Sequence, residues 1–181
     1  VYFVASSIYR SNIESRQHEM ELMATTLSKA ADDFGDLQME RVHSFSKITA
    51  LRDFLVSRSD VDAANDVLRA MSLASPAVNS VYLVDTKGVQ ALMMVQGKGA
   101  TKLADLASRE YVQAALAGKE GYSTAPTKSI ATGKLIVSVT SPIFDDSGKV
   151  VGGLGMSYVL DKLIADYIET TRIGATGYPF I

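Results

Sequence analysis

The residues whose types invite a chemical reading are His18 and His43, the acidic pairs Asp32-Asp33 and Asp145-Asp146, and the tetrad Gly152-Gly153-Leu154-Gly155. Two imidazoles on one helix share a metal when they stand about four residues apart. His18 and His43 lie on one helical stretch at a far wider spacing, and the absence of cysteine removes thiolate ligand sets. Both histidines therefore read as solvent-facing or packing residues. Acid and base catalysis by paired carboxylates needs both to face one bond, whereas neighbours in sequence point apart, so both acidic pairs read as solvated surface. The glycine tetrad lies inside a strand pattern, with neither a Gly-Lys-Ser sequence nor dinucleotide-binding spacing beside it. Close backbone packing or access to a ligand explains it. What remains is a polar set displayed on apolar stretches: Arg109, Tyr111, Tyr122, Ser123, Thr127, Lys128, Ser129 and Ser157. Such residues orient a bound molecule but include no nucleophile with its general base. The expectation is binding without turnover: not an enzyme, and no cofactor or metal.

The elements that must hold this set follow from periodicity. From about Ser6 to Ser57 there is no proline, and Met20, Met23, Leu27, Ala30, Phe34 and Leu37 recur at helical steps. The stripe resumes out of phase at Phe45, Ile48, Arg52 and Leu55, and Gly35 within it costs about 1 kcal/mol relative to Ala. One long helix with a bend near Gly35 is predicted. At about 1.5 Å per residue it outruns a domain of this size, so part of its seam is expected to pack on a second copy in a homodimer. A shorter helix is predicted over Val61–Leu73, stopped by Pro76. Strands read at Val78–Val84 and Val89–Val95 around the turn Asp85-Thr86-Lys87-Gly88. A helix over Leu106–Ala117 ends at Gly118, and Tyr122–Thr127 is a third strand. Leu135–Phe144 and Val150–Tyr158 flank the turn Asp145-Asp146-Ser147-Gly148, and Leu160–Thr171 closes as a helix. This order gives an α+β class, an antiparallel sheet covered by helices.

Composition narrows the partners. With 47% hydrophobic and 21% charged residues, 181 residues bury an ordinary core. A formal net charge of -2 carries no basic surplus of the kind phosphate neutralisation demands, so no nucleic-acid partner is expected. No apolar run reaches the ~18 residues of a membrane span. The opening Val1-Tyr2-Phe3-Val4-Ala5 reads as the last turn of a transmembrane helix, and Thr176 to Ile181 as entry into a strand without a partner. A piece of a longer, membrane-tethered protein is expected.

The stretch LASREYVQAALAGKEGYSTAPTKSIATGKLIVSVTSPIFDDSGKVVGGLGMSYVLDKL resembles the sensor core of Cache domains. The resemblance runs from about Val78 to Leu163. It rests on a combination: Arg109-x-Tyr111 at a helix start, Ala115-x-x-Gly118 at its end, Thr132-Gly133-Lys134 leading into an apolar strand that reaches Ser141-Pro142, then Asp145-x-x-Gly148 and Val150-x-Gly152. It implies a long N-terminal helix over 1–57, a membrane-distal PAS-like module over 58–172, with an antiparallel sheet flanked by helices, and the start of a second module over 173–181. It also implies a periplasmic or extracellular sensor of a bacterial inner-membrane receptor. A methyl-accepting chemotaxis protein is the first reading of the output, with histidine kinases and cyclic-dinucleotide enzymes as alternatives.

Members of this family that bind amino acids hold the carboxylate with the Arg and neighbouring aromatics, and the ammonium with aspartates on later strands. Arg109 matches, and Tyr111 stands where an aromatic is found. Val112 replaces a second aromatic, Thr127 stands near a usual Tyr, and Ser129 and Ser157 fall where the two aspartates belong. A buried ammonium without a carboxylate costs several kcal/mol. The expected ligand is therefore a small carboxylate or similar polar metabolite lacking an ammonium, oriented by Arg109 with hydroxyls around it. The rival is a structural or dimerisation module whose PAS-like core is filled and which senses a protein partner without a direct ligand.

Overall fold

The computed structural model describes residues 2–170; the expected start of a second module at 173–181 lies outside them. The chain divides into two units, Val1–Asp36 and Leu37–Ile181. The first is the leading part of helix α1 (Tyr2–Ser46), on which Met20 and Leu22 are exposed. The second holds the end of α1, helices α2 (Thr49–Ser57) and α3 (Val61–Ser72), a seven-stranded sheet, and helices α4 (Glu110–Leu116) and α5 (Leu160–Thr170).

The predicted single helix over 1–57 is two helices. Gly35 stays within α1, and the break falls at Lys47-Ile48, where Ile48 is extended at φ -68°, ψ 122°. Ser46 sits at the break with its hydroxyl donating to the His43 carbonyl at 2.8 Å and lying 3.2 Å from Ser141 Oγ. Such back-bonding competes with the helix ladder, and the turn lets α2 bury Leu51 and Phe54. The buried residues around the break are Gln38, Val42, Ser46, Leu51 and Phe54, whereas Leu37 is exposed and Phe45, Ile48, Arg52 and Leu55 are half-buried.

The strands are β1 (Val78–Val84), β2 (Gln90–Val95), β3 (Lys98–Gly99), β4 (Gly121–Tyr122), β5 (Thr127–Lys128), β6 (Leu135–Phe144) and β7 (Val150–Val159). Their order is β3-β2-β1-β7-β6-β4, with β5 also on β6, and every pairing is antiparallel. The hairpins β1–β2 and β6–β7 turn by the same chemistry. Asp85 Oδ1 accepts the Lys87 and Val89 N–H groups, and Asp145 Oδ1 accepts those of Ser147 and Lys149. Gly88 and Gly148 follow at φ 80° and 81°, a region closed to most side chains. The predicted helix over 106–117 is shorter, because the Leu106 N–H is taken by Gly88 O and Asp105 Oδ1 accepts from Ala107 N–H. The predicted strand over 122–127 is two short ones, with 123–126 off the ladder between them.

Strand alternation gives the central sheet two faces. One face shows the rows Val81, Met156, Val139 and Leu83, Leu154, Ser141. The end of α1 meets this face through Ser46 at Ser141 and through Gln38 Oε1, which accepts the Tyr158 hydroxyl at 2.6 Å. The other face shows the rows Ser80, Ser157, Ser138 and Tyr82, Gly155, Thr140. α4 lies over it, with the Tyr111 carbonyl accepting from Thr140 Oγ1, and Tyr82, Val84, Met93, Leu106, Tyr111 and Val112 form an apolar cluster there.

Candidate ligand site

The polar rows of that second face end in a narrow cavity of ≈ 30 Å³ between the sheet, the start of α4 and segments 102–106 and 127–131. A single water needs about 10–15 Å³ on this measure, so the space between the side chains is small. Arg109, Tyr111, Thr127, Lys128, Ser129 and Ser157 all line it. Tyr122 and Ser123 do not. Tyr122 is exposed, and Ser123 serves the sheet edge, donating its N–H to Ser138 O at 2.8 Å and accepting the Ser138 N–H on Oγ at 2.9 Å. Both leave the candidate set.

Arg109 occupies the N-cap position of α4 with an extended backbone, φ -79°, ψ 127°. Its side chain has no ion-pair partner among the described residues. Glu110, its neighbour, is committed elsewhere: Oε1 accepts the Thr124 N–H at 2.6 Å and hydroxyl at 2.8 Å, which holds that carboxyl below the usual range. Asp105 accepts from Ala107 instead. Lys102 and Lys128 stand at the exposed rim, and no Asp or Glu lines the cavity. A concave site with cations of one sign and no acid draws anions.

Ser129 and Ser157 belong to a closed network around buried Asn79. Asn79 Nδ2 donates to Ser129 Oγ at 3.2 Å and Ser157 Oγ at 3.3 Å, and Thr132 Oγ1 donates to Asn79 Oδ1 at 2.7 Å. Ser157 and Ser80 share a further hydrogen bond at 2.7 Å. A neutral, satisfied network thus stands where an ammonium-binding site would need carboxylates.

The buried side-chain atoms without a hydrogen-bond partner among the described residues are Tyr82 Oη, Thr127 Oγ1 and Ser138 Oγ. All three residues line this cavity. An unmet buried polar group costs about 1–3 kcal/mol, and native structures rarely gather several in one place without a use for them. The Tyr82 ring closes over Gly155, where a Cβ would fall 2.2 Å from ring atom Cε2. Burial, and secondarily the nearness of Tyr111, raises its phenol well above the usual range, so it stays protonated.

Sequence reasoning missed Tyr82, Ser80, Ser138, Gln90 and Lys102, which also line the cavity. Gln90 fixes one wall, accepting the Ala104 N–H on Oε1 at 2.9 Å. The one sequence signal for Tyr82 was Gly155: a glycine inside a strand marks a close approach, and the Tyr82 ring is what approaches.

No family model and no curated protein matches the chain. Solved structures do. A domain of a Vibrio parahaemolyticus sensory box/GGDEF family protein superposes with TM-score 0.65 at 12% identity, over 77% of this chain and 58% of that one. The ligand-binding domain of a Campylobacter jejuni chemoreceptor in complex with L-valine gives TM-score 0.65 at 18% identity, over 79% and 59%. The sensor domain of the V. cholerae histidine kinase DctB gives 0.65 at 16% identity, over 88% and 60%. The chain thus spans less than two thirds of each of these domains. Its seven-stranded antiparallel sheet, helix-covered on both faces, is an α+β, PAS-like fold shared with these sensor and ligand-binding domains.

Proposed function

We propose that this chain is the sensing part of a membrane-tethered bacterial receptor, and that it binds a small organic carboxylate without an ammonium group. One observation carries the reading: Arg109, unpaired by any described carboxylate, opens onto a cavity lined by two more cations, no acid and three unmet hydroxyls. A guanidinium offers paired donors to a carboxylate. A hydrogen bond to a charged group is worth about 1.5–3 kcal/mol, or roughly 10- to 100-fold in affinity. The structural neighbours that hold isoleucine or valine, and those from histidine kinases, support sensing as the role of the fold. The saturated serine and asparagine network argues against an amino acid here. The expected location is outside the cytoplasm, with α1 as both dimer seam and transmission rod. Chemotaxis signalling is the output proposed first, ahead of kinase or cyclic-dinucleotide outputs.

Ligand binding is expected to favour one of two arrangements of the pocket strands. The narrowness of the cavity is what favours the rival, a filled module that contacts a protein partner. A thermal-shift series with acetate, propionate, lactate and alanine, on the wild type and on Arg109→Gln, separates them. A ligand at 100 times its Kd adds about 2.7 kcal/mol. Carboxylates that raise the midpoint only when Arg109 is present, with no rise from alanine, are the expected result. No rise with any carboxylate, for a folded protein, would move the assignment to the partner-sensing module.

A further inference from the structure

Two of the unmet hydroxyls lie deeper in the cavity than its cations. Lys102 and Lys128 are exposed and Arg109 is half-buried, whereas Tyr82 and Ser138 are each 2% exposed. The deep end is neutral: the Tyr82 and Ser138 hydroxyls beside the satisfied Ser80–Ser157 pair, with Thr127 half-buried like Arg109. A second carboxylate placed there would be desolvated, and Arg109, the cation whose charge reaches Tyr82, would already be engaged by the first. An aliphatic group placed there would leave every hydroxyl unmet. A hydroxyl or carbonyl oxygen fits both demands, because it accepts from the Tyr82 hydroxyl and needs no counter-charge.

We propose that Tyr82, seated on Gly155, is a specificity-determining residue of this site. With Ser138 and Thr127 it recognises an uncharged oxygen group next to the ligand carboxylate, so the ligand class is the hydroxy or keto carboxylic acids. This rests on the carboxylate reading above and sharpens it. Tyr82 is conformationally committed to the role. Any side chain at position 155 would strike its ring, with ideal Cβ distances of 2.2 Å to Cε2 and 2.6 Å to Oη. Its neighbours Ser138 and Tyr111 are close enough to act on its ionisation, yet neither makes an acceptable hydrogen bond to its oxygen. The hydroxyl is thus held in place and left without a partner. A site built to hydrogen-bond a ligand oxygen discriminates strongly against the analogue that lacks it.

The test compares lactate with propionate, which differ by one hydroxyl, by titration calorimetry on the whole chain and on Tyr82→Phe and Ser138→Ala. The wild type is expected to bind lactate about 10-fold or more tightly than propionate. Tyr82→Phe should remove most of that preference, by weakening lactate and leaving propionate unchanged. The same variant, free of ligand, should melt at or above the wild-type midpoint, because an unmet hydroxyl has been removed; a role in holding the core together would lower it. Ser138→Ala should act in the same direction and more weakly. Equal binding of lactate and propionate, both dependent on Arg109, would overturn this inference and leave the carboxylate reading standing; enclosed water would then be what meets the hydroxyls. A Tyr82→Phe protein that melts well below the wild type would overturn it as well. Failure of both acids to bind would overturn the two readings together.

Discussion

The two faces of the central sheet are made by the same strands and end in opposite states. On the face that meets the end of α1, Val81, Leu83, Leu154 and Met156 are fully buried, and the buried polar groups there are paired, Ser141 with Ser46 and Tyr158 with Gln38. On the face under α4, one row across three strands is all serine, the next holds Tyr82 over a glycine, and the unmet hydroxyls gather. One face uses alternation to make a core. The other gives up packing and hydrogen bonding at a few positions, which is the pattern expected where a protein trades stability for binding.

Substitutions on the two faces test that contrast. The largest effect is expected from Leu154→Ala, which opens a cavity in the packed face and should cost about 2–5 kcal/mol in denaturant titration. Ser138→Ala, across the sheet, should cost nothing. Comparable losses from both would mean the faces are energetically alike. Next comes Gly155→Ala, whose methyl meets the Tyr82 ring; overpacking of this kind costs about 1–3 kcal/mol. The double variant with Tyr82→Ala should melt above the sum of the single effects, and strict additivity would show that the ring is not what the methyl strikes. Tyr158→Phe removes a satisfied hydrogen bond and should cost about 1 kcal/mol, opposite in sign to the change expected for Tyr82→Phe.

The smallest effect is confined to alkaline pH. Burial raises the phenols of both Tyr158 and Tyr82 above their ordinary value. Above about pH 10 the unfolded tyrosines lose protons that the folded ones keep, so stability is full below that pH and declines as pH rises further. Alkaline melting curves should be less steep in pH for either Phe variant than for the wild type. An unchanged slope in both would place the alkaline loss elsewhere.

Much of the frame was legible because it is local. Val78–Val84 and Leu135–Phe144 read to the residue, as apolar, β-branched runs ended by Asp-x-x-Gly turns whose hydrogen bonds lie within five residues. The end of α1 was not, because Gly35 is tolerated in a helix while Ser46 is decided by Ser141, a residue on β6. Of the residues lining the cavity, Arg109 and Tyr111 were readable from a helix start that sequence displays. Tyr82 was hidden as one more apolar-strand residue, since its place depends on facing Gly155 across β1 and β7. Tyr122 and Ser123 lie off the cavity lining, at two short edge strands that read in sequence as one continuous strand.

That β1–β7 pairing has a kinetic side. The hairpins β1–β2 and β6–β7 close over short turns, but β1 meets β7 across most of the domain, as in the pairing of Val78 with Tyr158. Contacts of long sequence separation are slow to form, because loop entropy is lost before they reward it. The two hairpins are therefore expected to fold first and the joint between them last. Ser80 and Tyr82 stand on one side of that joint, Ser157 and Ser138 on the other. A molecule held in the cavity bridges both halves, so it should slow their separation: the unfolding rate, more than the folding rate, is where occupancy will be felt.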